Sequence, residues 1–204
     1  MAAPTVSIII RCYNEREYIG KLLQGIFEQQ YDDFEVILVD SGSTDGTLEI
    51  AQQFPIDDIV YIDPSEFSFG RALNYGCTEA TGDFCVFASA HVYPRRRDWL
   101  DKLLEKFTAP DIALVYGKQR GNNITKFPEQ RVFHRWFPDH DRERQQSPFC
   151  NNANAAIRRD VWEELPYNEQ LTGLEDLDWA SRAREAGYDI SYASDAEIIH
   201  VHDE

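Results

Sequence analysis

Residues 34–47 read Phe-Glu-Val-Ile-Leu-Val-Asp-Ser-Gly-Ser-Thr-Asp-Gly-Thr. Phe34 to Val39 is an apolar, β-branched run too short for a helix, so it reads as a strand buried on both faces. It stops at Asp40, and Ser41-Gly42-Ser43 supplies the turn chemistry that follows. Asp45 then stands as the N-cap of a helix through Phe54, which Pro55 closes. A buried strand that ends in a polar turn and feeds a helix is the repeating unit of a doubly wound α/β sheet.

The unit recurs on both sides. Thr5 to Ile10 is another β-branched strand, and Arg16 to Gln30 puts Ile19, Leu22, Leu23, Ile26 and Phe27 at helical spacing. Downstream come a short strand Ile59 to Ile62, a helix Arg71 to Ala80 and a strand Phe84 to Ala88. A helix Trp99 to Phe107 and a strand Ile112 to Tyr116 complete the series. Right-handed crossovers then predict a mostly parallel, Rossmann-like sheet with ligands at the carboxyl ends of its strands. After Gly117 the texture changes. Residues 118–153 carry three prolines, dense charge and five aromatics, which predicts a long irregular segment with one helix near Glu129 to Trp136. Regularity returns with helices Arg159 to Leu165 and Leu174 to Gly187 and two short strands, Ile190 to Tyr192 and Ile198 to Val201. The expected organisation is one domain over 1–204, with a ligand-binding half, 1–117, and a more variable half, 118–204, holding a small mixed part.

Acidic residues number 36 against 20 basic ones, for a net charge of −16. Such a surface repels nucleic acid phosphates and anionic lipid, which excludes nucleic acid as a partner and confines any anionic ligand to a locally basic or metal-lined pocket. No apolar stretch approaches the roughly 20 residues that span a bilayer, and the N-terminus has no signal-peptide pattern. A cytoplasmic chain is expected. Cys12, Cys77, Cys85 and Cys150 are scattered in apolar contexts and read as buried free thiols.

Several side chains could carry chemistry. Asp40 lies where a strand end meets a ligand, or it simply starts the turn as an Asx residue. Ser89 and His91 project to one side of the chain after a strand, and His91 suits a metal or diphosphate, or a hydrogen-bonded surface role. Thr172 and Glu175 have capping-box spacing, which accounts for Glu175 and leaves Asp176 as a candidate base, with Trp179 supplying burial. His200 and His202 share one face of the last strand. Arg71, Lys118 and Arg120 are cations near strand ends, suited to phosphate. Asn152 and Asn154, in an amide-rich run, can hydrogen-bond sugar hydroxyls or make turns.

In order and spacing these pieces resemble family 2 glycosyltransferases of the GT-A fold: Val6 to Glu15, Val39-Asp-Ser-Gly-Ser-Thr-Asp-Gly-Thr47, Gly70-Arg-Ala-Leu-Asn-Tyr-Gly76, Ala80-Thr-Gly-Asp83, Gly173-Leu-Glu-Asp176 and Ile198-Ile-His-Val-His202. The resemblance implies an inverting transfer of a sugar from a nucleotide diphosphate sugar to a glycan or lipid-linked hydroxyl acceptor, in surface polysaccharide or glycan synthesis. Residues 1–117 would then bind the donor, through Tyr13, Asn14, Glu15, Asp40, Arg71 and Ser89. Asp176 would be the catalytic base, and Asn152, Asn154, Glu175 and Trp179 would meet sugar or acceptor. Where the family has Asp-x-Asp, this chain has Ser89-Ala90-His91, as in a rhamnosyltransferase-like bacterial branch. A divalent metal, manganese or magnesium, would be held by His91 with His200 or His202. The alternative is an inactive nucleotide-sugar-binding or scaffold protein; a nucleotidyltransferase ranks last, because Arg11 to Glu15 lacks a glycine-rich phosphate loop. Family members often continue into C-terminal helices, where a peripheral contact with the inner face of the membrane is expected.

Overall fold

The computed structural model describes residues 5–123 and 125–201. Its strands are β1 (Val6–Cys12), β2 (Phe34–Asp40), β3 (Asp58–Tyr61), β4 (Phe84–Ser89), β5 (Val92–Pro94), β6 (Ile112–Arg120), β7 (Asn154–Arg158) and β8 (Asp189–His200). They form one sheet in the order β3-β2-β1-β4-β7-β6-β8-β5. Pairs β3–β2, β2–β1, β1–β4 and β6–β8 are parallel, whereas β7 runs antiparallel to both β4 and β6, and β5 antiparallel to β8. The helices are α1 (Ile19–Phe27), α2 (Thr47–Ala51), α3 (Phe69–Glu79), α4 (Trp99–Leu104), α5 (Phe127–Trp136), α6 (Arg159–Glu164) and α7 (Glu175–Glu185).

Successive β1 side chains point to opposite faces, and both faces are covered. Ile8 and Ile10 pack with Leu22, Leu23 and Trp99 on one side, while Ile9 joins Leu73, Cys77 and Trp179 on the other. Gly76 lets α3 lie against the sheet, because a Cβ there would collide with Ile9 and come within 3.1 Å of Val39. Register aligns Cys12 with Asp40 and Arg11 with Ser89, so the loops after β1, β2 and β4 open on one rim of the sheet.

The structure differs from the sequence reading in several places. Gly46, in the left-handed region at φ 99°, is the N-cap of α2 in place of Asp45, which sits just before it and accepts the Thr47 N–H at 3.0 Å. The segment expected to be irregular, 118–153, begins within β6 and is followed by β7, a central strand that the sequence reading does not contain. Its Ala155 and Ala156 are fully buried, and Asn154 is tied by its carboxamide to three elements. The Asn154 Nδ2 donates to the carbonyls of Lys118 and Ala196, and its Oδ1 accepts the Trp99 indole N–H at 2.9 Å. The two expected C-terminal strands are one twelve-residue strand, β8, whose register shifts opposite Gly117 and Lys118. The Thr172 capping box is not made. Leu174 occupies the N-cap position of α7 at φ 62° with no side-chain cap, and it is 68% exposed rather than part of the apolar face.

Candidate active site

Three loops converge beyond the carboxyl ends of β1, β2 and β3. They enclose a cavity of about 440 Å³ lined by Tyr13, Glu15, Ser41, Pro64, Phe67 and Phe69. Phe67 and Phe69 meet edge to face at 5.2 Å, and Tyr13 stands 57% exposed at the mouth. The polar residues of 40–47 mostly stitch these loops together. The Asn14 N–H donates to Ser43 Oγ at 2.9 Å, and Asn14 Oδ1 accepts the Thr44 N–H at 2.8 Å. The Glu15 N–H donates to Thr47 Oγ1 at 2.8 Å.

Asp40 is 1% exposed, and its carboxylate accepts the Gly42 and Ser43 N–H groups at 3.0 and 3.1 Å and the Cys12 thiol at 3.4 Å. Burial and the Asp40 charge push the Cys12 thiol far above its ordinary pKa. Of the two readings of Asp40, the geometry is that of the Asx turn, and the next residue, Ser41, forms the cavity wall. Arg71 also lies behind that wall. Its Nε donates to Glu169 at 2.9 Å and an Nη to the Glu66 carbonyl at 2.7 Å, so it braces the loop that carries Phe67 and Phe69.

Arg11 links the cavity to the opposite wall. Its guanidinium lies 5.2 Å over the Phe69 ring and pairs with Glu175 at 3.2 Å. Glu175 is therefore buried as half of an ion pair. This removes the capping explanation, and the next residue, Asp176, is half-buried beside it. Burial raises the Asp176 pKa, and the Glu175 charge raises it further, against the Leu177 N–H at 2.8 Å and the Arg11 charge. Asp178, by contrast, pairs with Arg182 one turn along at 2.9 Å, as its i,i+4 spacing predicts.

His91 lies beyond β4, and its Nδ1 is 2.7 Å from Glu15 Oε1. A carboxylate on one imidazole nitrogen fixes the ring and presents the other nitrogen, the arrangement that supports a metal-bound histidine. The His91 and His200 rings stack at 5.0 Å, and His200 Nδ1 is 2.8 Å from Gln119 Oε1. No three His, Cys, Asp or Glu side chains converge as a metal cage among the described residues. A divalent ion bound here would have His91 as its protein ligand and would draw its remaining ligands from a bound diphosphate. Ser89 is half-buried beside Arg11, and His202 lies outside the described residues. Of the expected sugar contacts, Asn154 and Trp179 need correction. Asn154 and Trp179 are fully buried in structural roles, the Trp179 indole donating to the Leu165 carbonyl at 2.5 Å, and Asn152 is 2% exposed beside the Tyr167 hydroxyl. On the far side of His200, a second pocket of about 450 Å³ is lined by Arg95, Arg120, Asn122, Gln130, Phe133 and His134, among others.

Sequence reasoning missed Arg11, Ser41, Phe67 and Phe69. The signals were a cation ending the apolar run Ile8-Ile9-Ile10 and two aromatics spaced by one residue in a loop.

The mostly parallel sheet with an aromatic cavity at its carboxyl rim is the architecture of a GT-A glycosyltransferase fold. The chain belongs to glycosyl transferase family 2, whose family model matches residues 7–165. It is similar to glycosyltransferase AglE of Haloferax volcanii, 31% identical over 97% of this chain and 67% of that protein. The O-antigen chain rhamnosyltransferase WbaN of Salmonella anatum is 28% identical over 98% of this chain and 67% of the relative. Among solved structures, the mannosyltransferase PcManGT from Pyrobaculum calidifontis, in complex with GDP-Man and Mn2+, matches at a TM-score of 0.79 and 25% identity. That match covers 100% of this chain and 58% of the other. The chain thus spans about two thirds of these curated relatives.

Proposed function

We propose that this chain binds a nucleotide diphosphate sugar and transfers its sugar, with inversion, to the hydroxyl of a glycan or lipid-linked acceptor in the cytoplasm. The observation that carries this reading is the line from the aromatic cavity through Arg11 to the Glu175–Asp176 pair. Tyr13, Phe67 and Phe69 suit the faces of a nucleobase, and Ser41 offers a hydroxyl to its edge. The Glu15–His91 pair sits beside the cavity, where the diphosphate would lie, and the solved PcManGT complex, which holds GDP-Man together with Mn2+, supports the use of a divalent ion with the donor. A divalent ion there neutralises charge on the leaving diphosphate. Asp176 takes the acceptor proton as the hydroxyl oxygen bonds to the sugar's anomeric carbon and the diphosphate departs with its bonding pair. Residues 1–117 carry most of the donor contacts in this reading, and 118–204 supply the base and the acceptor side.

The test is release of nucleoside diphosphate from a panel of sugar nucleotides, with manganese and candidate acceptors. Release that depends on Asp176 supports the transferase. Tight donor binding with no release under any combination would identify the alternative, a nucleotide-sugar-binding protein without turnover.

A further inference from the structure

The α5 helix, reached from Lys126, carries a surface that the site does not use. From 126 to 136 it holds Lys126, Arg131 and Arg135 against Glu129, a local positive excess in a chain of net charge −16. Phe133 is its buried side, 6% exposed, while Phe127, Val132 and Trp136 are 69%, 51% and 45% exposed. Two rows run along the outer surface at i, i+4 and i+8: Phe127, Arg131 and Arg135, and Pro128, Val132 and Trp136. The cations travel with the rings, Arg131 over Phe127 and Arg135 over Trp136, each at 5.8 Å. Among the described residues neither Arg131 nor Arg135 forms an ion pair with a carboxylate, although acids outnumber bases throughout the chain. An open groove of about 730 Å³ runs along this face.

We propose that α5 docks on an anionic lipid surface, its exposed Phe127, Val132 and Trp136 entering the interface and Lys126, Arg131 and Arg135 meeting lipid phosphates. Aromatic rings interleaved with cations on one helix face match the two layers of a bilayer interface, apolar just below the charge. The charge of the remaining chain is screened within about 8 Å at physiological salt, so a local cationic patch still sees an anionic surface. A second copy of the chain fits less well, because a two-fold interface would press this cationic face against itself. On its inner side Phe133 packs 5.9 Å from the His200 ring, which stacks on His91. Docking would therefore set the pocket of Arg95 and Arg120 close to the lipid surface. Only that delivery of a lipid-linked acceptor rests on the transferase reading.

The experiment is co-sedimentation of the protein, without donor or acceptor, with mixed phosphatidylglycerol–phosphatidylcholine vesicles and with pure phosphatidylcholine vesicles. Binding to the anionic vesicles that weakens as salt rises is the expected result. Each cation near such a surface contributes about fivefold, so Arg131→Gln with Arg135→Gln should weaken binding about thirtyfold. Phe127→Ser should weaken it further and at all salt concentrations. Thermal unfolding and nucleoside diphosphate binding of these variants should match the parent, which separates this result from any failure of the donor site. No binding of the parent to anionic vesicles, or equal binding of the double variant, overturns the assignment. So does a dimer in sedimentation velocity that the double variant abolishes, which would give the face to a second copy. Vesicle binding by residues 1–204 that disappears in a chain extended to the length of its relatives would give the face to the extension.

Discussion

Replacing Arg11 by methionine keeps the length of the side chain and removes its charge from the Glu175 carboxylate. The pair is nearly enclosed, with 14% of the Arg11 and 8% of the Glu175 side-chain surface exposed. Orphaning a buried charge costs about 3–5 kcal/mol, and the residual exposure of Arg11 places the cost near 3 kcal/mol. For a chain of this size that corresponds to a fall in Tm of roughly 6–12 °C. Glu175→Gln should cost less, because a neutral amide still accepts from the guanidinium. The double variant, which leaves no buried charge unpaired, should recover most of the loss, giving a coupling of about 1–3 kcal/mol. Urea unfolding with an unchanged m-value measures each corner of the cycle. Arg11→Met has a second consequence. The Arg11 charge holds the Asp176 pKa down while Glu175 pushes it up, so removing it moves the acid limb of turnover to higher pH. Additive single losses, or an acid limb that stays in place, would show that the ion pair neither stabilises this wall nor tunes its carboxylate.

Asp176→Asn should cut turnover by roughly 10²–10⁴ while leaving donor affinity unchanged in calorimetry. The same variant should melt higher at neutral pH. Because the folded chain holds the Asp176 proton more tightly than the unfolded chain, stability falls as pH climbs from the ordinary aspartate range through the raised value, and asparagine escapes that loss. Tyr13→Ala and Phe67→Ala should each weaken nucleoside diphosphate binding by about 1–3 kcal/mol with little change in Tm, since both rings are partly exposed; unchanged affinity would move the base elsewhere. Glu15→Gln, which takes the carboxylate from His91, should weaken manganese binding in the presence of nucleoside diphosphate by roughly 10–100-fold, and equal affinity by titration calorimetry would remove His91 from the ion.

The parallel strands were legible because burial on both faces leaves unbroken β-branched runs such as Ile8-Ile9-Ile10 and Val36 to Val39. Strand β7 left no such trace. Its Asn154-Ala-Ala is small and polar because the strand is wedged between β4 and β6, a demand set by neighbours distant in sequence. The same logic hid Glu175. Thr172 at capping distance is a local cue, but the partner that decides the geometry, Arg11, lies 164 positions away. At Asp40 the strand end was located correctly. What spacing alone could not resolve was which of two adjacent residues faces inward, since the carboxylate is consumed by the turn amides and the shorter serine is left at the wall. Asn154 and Trp179 illustrate the converse, polar or amphipathic side chains whose hydrogen-bonding capacity the interior itself absorbs.

The strand order carries a practical lesson for recombining this enzyme with its relatives. Strand β5 precedes Gly117 in sequence and β6 runs through it, yet both lie across β7 from β1 to β4, so the early and late parts of the chain are interdigitated across the sheet. A chimera joined at Gly117 would cut β6 itself, exchange the strand wedged between β4 and β6 together with α7, and ask a foreign β7 to fit a native β4 and a hybrid β6 at once. A Cβ at Gly117 itself would already collide with the Ala196 carbonyl and the Asn154 carboxamide. Exchanges confined to the loop from Pro64 to Phe67, or to the segment between β6 and β7, leave every strand with its own partners. Those loops are the natural crossover points for exchanges that leave the sheet intact.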